Sequence, residues 1–330
     1  MTTTGAAATL RAHIISTSRV FDYSYDVAGR LVVVEEDGAV SATYSYDDNG
    51  NRTDAVVDEQ DRLLSHGTFT YGWDADGALV SRTDTSTNAT MRFAYDTLGG
   101  LRQVTLSDGR VIDYVIDGLG RRIGKRVDGV LQQGFVYDGQ LRIVAELDGS
   151  GVVRRRYVYS SHANVPDIAI DVLTGETWRI ITDHLGSPRL VVDVDDGTIV
   201  AEREFDEFGR VVIDSAPGLL PFGFAGGLED PDTGLVRFGA RDYDPESGRW
   251  TAKDPIGFNG GDTNVYAYVA GDPVNRIDAQ QAEPMAPDSA ARAFRPASRS
   301  GPAGRWRRRR RPCRLAAATK TTRAGRCGDG

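Results

Sequence analysis

The chain reads RDYDPESGRW at residues 241–250, DPIG at residues 254–257 and NVYAYVAGDPVNRID at residues 264–278. An Asp-Pro-x-Gly sequence predicts a tight turn, because proline presets φ and glycine accepts a positive φ. The stretch also holds two aspartates downstream of an arginine. If the fold brings Asp254 and Asp278 together, they can share a proton, so that one acts as a general base on water and the other as a general acid. Arg241 would then keep one of the two carboxylates ionised.

Upstream of this stretch, pairs of mostly aromatic residues at i and i+2 recur before acidic, glycine-bearing turns. Their spacing is nearly regular, with one wider gap between the second and third copies. A period of about 21 residues is typical of a repeat protein. Side chains at i and i+2 of a strand point to one face, so the copies predict an aromatic ladder on one face of a sheet. The copies are Tyr23/Tyr25, Tyr44/Tyr46, Tyr71/Trp73, Phe93/Tyr95, Tyr114/Ile116, Phe135/Tyr137 and Tyr157/Tyr159.

Turn sequences such as the Asp-x-x-Gly at residues 26–29 and 117–120 follow the pairs. Aspartate caps such a turn and glycine takes its left-handed position, which predicts strands of about seven residues joined by short hairpins. The fold class predicted is therefore all-β. A loop is expected at residues 160–167, and no regular strand is expected in the Gly- and Pro-rich residues 216–232. Further strands are predicted at residues 168–172, 177–182, 189–194, 198–205 and 265–269.

Charge divides the chain into two parts. Residues 280–330 carry 13 Lys and Arg against 3 Asp and Glu, a net of +10, so residues 1–279 hold a net charge of −18 within the total of −8. An acidic body disfavours specific binding to nucleic acid or to anionic membranes. Both cysteines, Cys313 and Cys327, lie in the basic part, so the body is expected to fold without disulfides. No apolar run approaches the ~20 residues of a membrane helix, and residues 1–20 do not read as a signal peptide.

The motifs from about residue 178 to residue 278, beginning with DHLGSPR at residues 183–189, closely resemble the core domain at the end of Rhs and YD-repeat proteins. That family includes teneurins and the C components of insecticidal toxin complexes. The resemblance implies a YD-repeat β-hairpin array that forms a curved, cocoon-like shell. In that family the Rhs core closes the shell and cuts the chain just downstream, which frees a C-terminal toxin inside. By position, Arg241, Asp254 and Asp278 match the self-cleavage residues.

The chain is expected to have four parts. An N-terminal segment is expected at residues 1–20, the YD-repeat β-shell region at residues 21–160, the Rhs repeat-associated core at residues 161–279 and a disordered basic tail at residues 280–330. One departure bears on cleavage: the family's second aspartate opens another Asp-Pro-x-Gly-Leu turn, whereas Ala279-Gln280-Gln281-Ala282 follows Asp278. Without proline and glycine the turn that presents the scissile bond is lost, so the site is expected to assemble while cleavage is impaired.

The expected function is that of a truncated or orphan fragment of a polymorphic toxin shell that encapsulates a C-terminal toxin. Enzyme activity is expected at most as aspartic-protease-like self-cleavage, with no cofactor. Secretion or delivery proteins are the expected partners besides the toxin, and the resemblance implies a secreted or cell-surface location. The alternative is a wall-associated carbohydrate-binding or adhesion module. The direction of the aromatic side chains discriminates between them, because a shell buries them whereas a sugar-binding groove exposes them.

Other candidate sites carry weaker signals. Acidic loops such as residues 47–50 lack the full spacing of a calcium loop and fit hairpin turns better. The pair Asp183-His184 with Ser187 suggests nucleophilic catalysis, but a triad is defined by its arrangement in space. The arginine run at residues 307–311 indicates at most nonspecific binding to nucleic acid or anionic lipid, and the composition of the tail fits a reading-frame slip equally well.

Overall fold

The computed structural model describes residues 8–14 and 17–278, which form three antiparallel sheets. The N-terminal sheet pairs β1 (Ala8–Ile14), β2 (Thr17–Tyr25), β3 (Leu31–Glu36) and β4 (Ala39–Thr43). The large sheet pairs β5 (Ala55–Val57), β6 (Leu63–His66), β7 (Phe69–Trp73), β8 (Leu79–Asp84), β9 (Ala89–Tyr95), β10 (Leu101–Thr105), β11 (Val111–Ile116), β12 (Arg122–Val127), β13 (Val130–Asp138), β14 (Arg142–Asp148), β15 (Val153–Val158), β16 (Ile168–Asp171), β17 (Thr177–Thr182), β18 (Pro188–Asp193), β19 (Ile199–Phe205) and β20 (Val211–Asp214). The small sheet pairs β21 (Leu228–Asp230), β22 (Leu235–Phe238), β23 (Arg241–Asp244) and β24 (Arg249–Trp250), and 3₁₀ turns lie at Phe224–Gly226, Gly257–Gly260 and Val269–Gly271.

Strands of each sheet pair in chain order, as short hairpins require. The all-β repeat fold predicted from the sequence is confirmed. Pairing continues from β15 to β16 across the predicted loop, so the expected boundary at residue 160 does not interrupt the large sheet. The domain boundaries themselves stay predictions, and the expected disordered tail at residues 280–330 lies outside the described residues.

Each repeat turn is closed by its aspartate. Asp26 Oδ1 accepts hydrogen bonds from the backbone N–H groups of Ala28 and Arg30, and Asp26 Oδ2 accepts one from Arg30 Nε at 2.7 Å. Arg30 Nη1 also donates to the carbonyl of Asp47 in the next repeat, at 2.9 Å. The arginine after the turn glycine therefore couples successive repeats. The same aspartate–arginine bond joins Asp58 to Arg62, Asp117 to Arg121 and Asp206 to Arg210.

The aromatic ladder faces the core. The first members of six of the seven pairs are 4–8% exposed, and Tyr44 is half-buried. Buried rings of this size contribute much of the apolar area that stabilises a sheet. Their direction is the one expected of a shell and not of an exposed sugar-binding groove. The six residues are Tyr23, Tyr71, Phe93, Tyr114, Phe135 and Tyr157.

Residues 216–278, here named the closing segment, cover this aromatic face. They contribute side chains to every one of the four core clusters formed by the described residues. The Phe222 ring, for example, packs edge-on against Tyr157 at 5.1 Å between centroids. The ladder is therefore buried by one continuous stretch of chain. The buried contributions are Leu220, Phe222 and Leu228 to the first cluster, Leu235 to the second, Phe224, Ala225, Val236, Phe238, Tyr243, Trp250 and Tyr268 to the third, and Val274 to the fourth.

Two local predictions in the closing segment are wrong. Residues 265–269 do not form a strand: Tyr266 N–H bonds the Asn264 side chain at 3.1 Å and Val269 has a φ of 44°. The alternating tyrosines suggested a strand, but Tyr266 and Tyr268 are both buried by an irregular turn that inserts them into the core. Conversely, residues 216–232 contain the short strand β21, because pairing with β22 overrides their Gly- and Pro-rich composition.

The last strand of the large sheet presents an apolar edge. Among the described strands β20 pairs with β19 alone, and Val211, Val212 and Ile213 are 40%, 59% and 43% exposed. An open edge of this kind pairs readily with other chains, so we expect concentration-dependent self-association by light scattering. Val212→Lys should reduce it, whereas Val136→Lys, at an exposed position on the interior strand β13, should not. A monodisperse monomer at micromolar concentration would contradict this expectation.

Candidate functional site

Arg241, the first residue of β23, lies over an aromatic ring. Its guanidinium carbon is 3.9 Å from the centre of the Trp250 ring, and Trp250 itself is buried in β24. The adjacent pairing of Tyr243 with Trp250 fixes the two strands. A guanidinium over an indole face gains a cation–π attraction. The ring therefore holds the Arg241 side chain in one orientation.

Both candidate aspartates bind this guanidinium. Arg241 Nη1 lies 3.0 Å from Asp254 Oδ2, and Arg241 Nη2 lies 2.6 Å from Asp278 Oδ2. The arginine side chain is 11% exposed and each aspartate side chain is 16% exposed. The structure thus brings together the three residues singled out from the sequence. Their role in cutting the chain stays a prediction.

The Asp-Pro-Ile-Gly turn sets the direction of Asp254. The Asp254 carbonyl accepts a hydrogen bond from the Gly257 N–H at 2.9 Å, and Asp254 Oδ1 accepts one from the Ile256 N–H at 2.9 Å. Gly257 has a φ of 55°, a conformation that favours glycine. Because Oδ1 caps the turn, Oδ2 is the oxygen that faces Arg241.

Asp278 ends a stretch anchored on the rest of the protein. Asn275 Nδ2 donates to the Tyr25 hydroxyl at 2.7 Å, which ties the stretch to the N-terminal sheet. His184 Nε2 bonds the carbonyl of Val274 at 2.6 Å. These two contacts come from residues far upstream, so the position of Asp278 depends on the assembled sheets.

The residues Asp183, His184 and Ser187 are used by the fold. Asp183 Oδ1 accepts the backbone N–H groups of Leu185 and Ser187, and Ser187 Oγ accepts the N–H of Ala225 at 3.0 Å. The aspartate caps its own turn and the serine binds the closing segment. The arrangement is that of a structural turn and not of a nucleophilic triad.

The Arg241–Asp254–Asp278 arrangement has the chemical elements for peptide hydrolysis. A pair of carboxylates that shares one proton supplies a general base for water and a general acid for the leaving nitrogen. Because the Arg241 guanidinium binds both carboxylates, the two acidic groups lie against the same side chain of the site. Hydrolysis then requires a peptide bond presented in near-attack geometry.

The large sheet and the closing segment are joined by a charged interface that the sequence did not predict. Asp242 lies between two guanidiniums, with Oδ1 2.8 Å from Arg122 Nη2 and Oδ2 2.9 Å from Arg237 Nη1. These three side chains are 1–4% exposed. Basic side chains of the sheet therefore meet acidic side chains of the segment inside the core. Further pairs are Arg82–Asp244 at 2.9 Å, Lys125–Asp230 at 2.6 Å and Arg203–Glu229 at 2.6 Å.

Burial penalises the charges of this interface. It lowers the pKa of Arg237, against the attraction of Asp242. It also raises the pKa of Glu229, against the attraction of Arg203. A buried charge is tolerated only with a well-placed partner, so the interface holds the closing segment in one register.

In the part of the chain that the structure describes, no group of three or more His, Cys, Asp or Glu residues could hold a metal ion. No helix of residues 8–14 and 17–278 is long and apolar enough to cross a membrane.

Most of the chain resembles known proteins in sequence. The sequence profile of the Teneurin YD-shell family matches residues 8–274. Teneurin-3 of Danio rerio is 31% identical over 280 residues, covering 78% of this chain and 10% of the teneurin. Double-stranded DNA deaminase toxin A of Burkholderia cenocepacia (strain H111) is 32% identical over 296 residues, covering 78% of this chain and 20% of the toxin.

Among solved structures, that of a Tc holotoxin pore of Photorhabdus luminescens matches with a TM-score of 0.48 and 18% identity, covering 84% of this chain and 18% of the other. The chain spans a fifth or less of the length of the relatives it matches. The family profile, in contrast, extends over all three sheets and the closing segment up to Val274. The chain belongs to the Teneurin YD-shell family, among the Rhs and YD-repeat proteins.

Proposed function

We propose that this chain is the closing part of a polymorphic toxin shell, which encapsulates a toxin polypeptide that continues from its C-terminal side. The observation that carries the proposal is the packing of the closing segment against residues of the aromatic ladder in three of the four core clusters formed by the described residues. Asp278, the last described residue, is 16% exposed. The described chain therefore ends at a largely buried side chain that contacts Arg241.

The class of cargo is proposed from one relative. The Burkholderia cenocepacia protein that shares 32% identity is a double-stranded DNA deaminase toxin. We extend only the general class, a toxin polypeptide, to this chain. Secretion or delivery proteins as partners, and a secreted or cell-surface location, belong to the same proposal. The burial of the aromatic ladder supports a shell over a carbohydrate-binding module.

Encapsulation is tested with a short epitope inserted after residue 282. An antibody to the epitope should bind the folded chain weakly and the urea-unfolded chain strongly, because an encapsulated segment is inaccessible to an antibody until the shell unfolds. The matched control places the same epitope in the exposed hairpin turn at residues 173–174, where folded and unfolded chains should bind alike. Strong binding to the folded chain at both positions would count against encapsulation.

The second part of the proposal is that self-cleavage is impaired. The turn at Asp254 depends on proline and glycine, and neither follows Asp278 within the next four residues. A scissile bond displaced by about 1 Å already slows such chemistry ~100-fold. Intact mass spectrometry of the purified protein should therefore show the full chain. A chain already split near residue 282, whose splitting stops in Asp254→Asn, would overturn this part.

A further inference from the structure

A lysine of the charged interface lies between two carboxylates. Lys125 Nζ is 2.6 Å from Asp230 Oδ1 and 2.5 Å from Asp232 Oδ2. Lys125 belongs to β12 of the large sheet, and the two aspartates belong to the closing segment, 105 and 107 residues further along the chain. The lysine side chain is 10% exposed and the Asp230 side chain is 2% exposed. A primary amine and a carboxyl group are therefore held in contact inside the core.

The lysine distinguishes this contact from the rest of the interface. The other buried pairs between the large sheet and the closing segment use arginine, namely Arg82, Arg122 and Arg203. A guanidinium keeps its proton in proteins, whereas a buried lysine amine gives up its proton readily and is then a nucleophile. Among the described residues, Lys125 is the one lysine that forms an ion pair. Of the ion pairs in that part of the chain, only those of Lys125 join two groups that can form an amide bond.

A tyrosine polarises the Asp230 carboxyl group. The Tyr114 hydroxyl donates to Asp230 Oδ2 at 2.6 Å, and both side chains are buried. The Arg122 guanidinium carbon lies 3.5 Å from the centre of the Tyr114 ring and holds that ring in place. Burial raises the pKa of the Tyr114 hydroxyl, so the hydroxyl keeps its proton. A fixed donor at Oδ2 stabilises the negative charge that develops on this oxygen when a nucleophile attacks the carboxyl carbon.

Asp232 is placed to move the protons of the amine. Its Oδ2 contacts Lys125 Nζ, and its backbone N–H donates to Asp230 Oδ1 at 3.0 Å, so it touches both reacting groups. Burial raises the pKa of the Asp232 carboxyl, but the hydrogen bonds and charges of Lys125 and Arg110 outweigh burial and hold that pKa below its usual range. The carboxylate therefore starts ionised, as a base for the Lys125 ammonium must.

The site also has room for a small leaving molecule. A cavity of about 10 Å³ is lined by Tyr114, Lys125, Gln133 and Asp230, among other residues. A space of this size holds one water molecule. A larger cavity of about 430 Å³ shares Lys125 and Gln133 with it, so a released water has further space to occupy.

We propose that Lys125 Nζ and Asp230 Cγ form an amide bond, an isopeptide cross-link that ties the closing segment covalently to the large sheet. The bond replaces two buried charges, which are costly in the core, by one neutral amide. Holding the two groups in contact favours the reaction further, because it needs no encounter in solution. The cross-link is a property of the folded body and does not depend on the chain after Asp278 or on cleavage there.

The reaction forms one amide bond, releases one water and needs no other reactant. The Lys125 ammonium gives one proton to Asp232, and the neutral amine bonds to the Asp230 Cγ. The nitrogen then loses a second proton, the bond from Cγ to Oδ1 breaks, and Oδ1 leaves with both protons as water. Asp232 relays the protons and ends ionised, as it began. Oδ2 becomes the amide oxygen and keeps its hydrogen bond from Tyr114.

The first experiment cuts the chain inside the loop that the cross-link closes. A site for a specific protease is inserted into the full chain in the exposed hairpin turn at residues 173–174, and the folded protein is cut there. On a reducing, denaturing gel the two pieces should stay together as one band, because the Lys125–Asp230 bond holds them. Lys125→Arg keeps the positive charge but cannot form the bond, so its pieces should separate. The matched control, Lys253→Arg, should behave like the parent. Separation of the parent's pieces would overturn the inference, whatever the variants do.

Mass spectrometry locates the bond. Trypsin does not cut after an acylated lysine, so a digest of the denatured protein should contain the peptides of Lys125 and Asp230 as one species, lighter than their sum by one water. Recovery of the two peptides as separate species, or of a bond between other residues, would contradict the inference.

A time course tests the role of Asp232. In cell-free synthesis of the full chain, Asp232→Asn should slow the appearance of the cross-linked species by about 100-fold, since the amide cannot take a proton from the ammonium. The matched control is Asp262→Asn, whose side chain caps a turn in another part of the closing segment and should leave the rate unchanged. Equal rates in the two variants would overturn the proton transfer assigned to Asp232.

Discussion

Asparagine in place of Asp242 should lower the free energy of unfolding by about 3–5 kcal/mol, the usual cost of breaking a buried ion pair by removing one partner. Asp242 is the shared anion of Arg122 and Arg237, at 2.8 Å and 2.9 Å, and all three side chains are 1–4% exposed. The amide cannot neutralise either guanidinium, so two buried positive charges remain. Arg122 also stacks on the Tyr114 ring at 3.5 Å and cannot swing into solvent without breaking that contact.

Urea unfolding followed by tryptophan fluorescence measures this loss, and the Tm should fall by roughly 10 °C. The matched control is Asp108→Asn, which removes a carboxylate from an ion pair with Arg110 in which both side chains are about half exposed. Solvent screens such a pair, so the control should leave the midpoint of the urea transition nearly unchanged. Equal midpoints for the two variants would mean that the interface does not depend on its buried charges.

The repeat architecture could be predicted because its signals are local. Many turn aspartates accept hydrogen bonds from the backbone N–H groups two and four residues later, as Asp26 does from Ala28 and Arg30, so sequence spacing alone encodes the hairpin. The i, i+2 aromatic pairs likewise report strand geometry directly. The same rule failed at Tyr266 and Tyr268, which are both buried although the backbone around them turns. Alternation indicates burial more reliably than it indicates a strand.

The charged interface could not be predicted, because its partners are far apart in sequence. Arg122 and Asp242 are 120 residues apart, and Arg82 and Asp244 are 162 residues apart. No local pattern relates such residues. A partial signal was present, since Asp242 and Asp244 flank Tyr243 in β23 and all three are buried. Charged residues at positions where a strand is expected to be buried indicate a partner on another element.

The candidate site was predicted in a different way. Arg241, Asp254 and Asp278 were selected by the order of motifs, and spacing alone gave no reason to pair two aspartates so distant in the chain. Their shared contact with one guanidinium depends on Trp250 beneath Arg241 and on the anchoring of Asn275 by Tyr25. Those contacts are tertiary, so the geometry of the site follows only from the assembled fold.

We expect a variant with Ala279→Pro, Gln280→Leu, Gln281→Gly and Ala282→Leu, named the rebuilt chain, to cleave itself. The unmodified chain should stay intact. The turn at Asp254 gives the physical reason: the Asp254 carbonyl receives the Gly257 N–H at 2.9 Å, and Gly257 adopts a φ of 55°. The same four-residue chemistry after Asp278 would turn the chain back toward the carboxylates. Restoring near-attack geometry recovers the factor of about 100 that a misplacement of about 1 Å costs.

Intact mass spectrometry and gel analysis over time measure the appearance of two fragments from the rebuilt chain. Asp254→Asn in the rebuilt chain should abolish cleavage, because the amide can neither accept the water proton nor share a proton with Asp278. Asp262→Asn is the matched control: its side chain caps the N–H of Asn264 at 2.9 Å and an amide oxygen can do the same, so cleavage should continue. Cleavage that survives Asp254→Asn would come from a contaminating protease and would remove the support for this site. Cleavage that stops in Asp254→Asn and continues in Asp262→Asn would assign the chemistry to the Asp254 carboxylate.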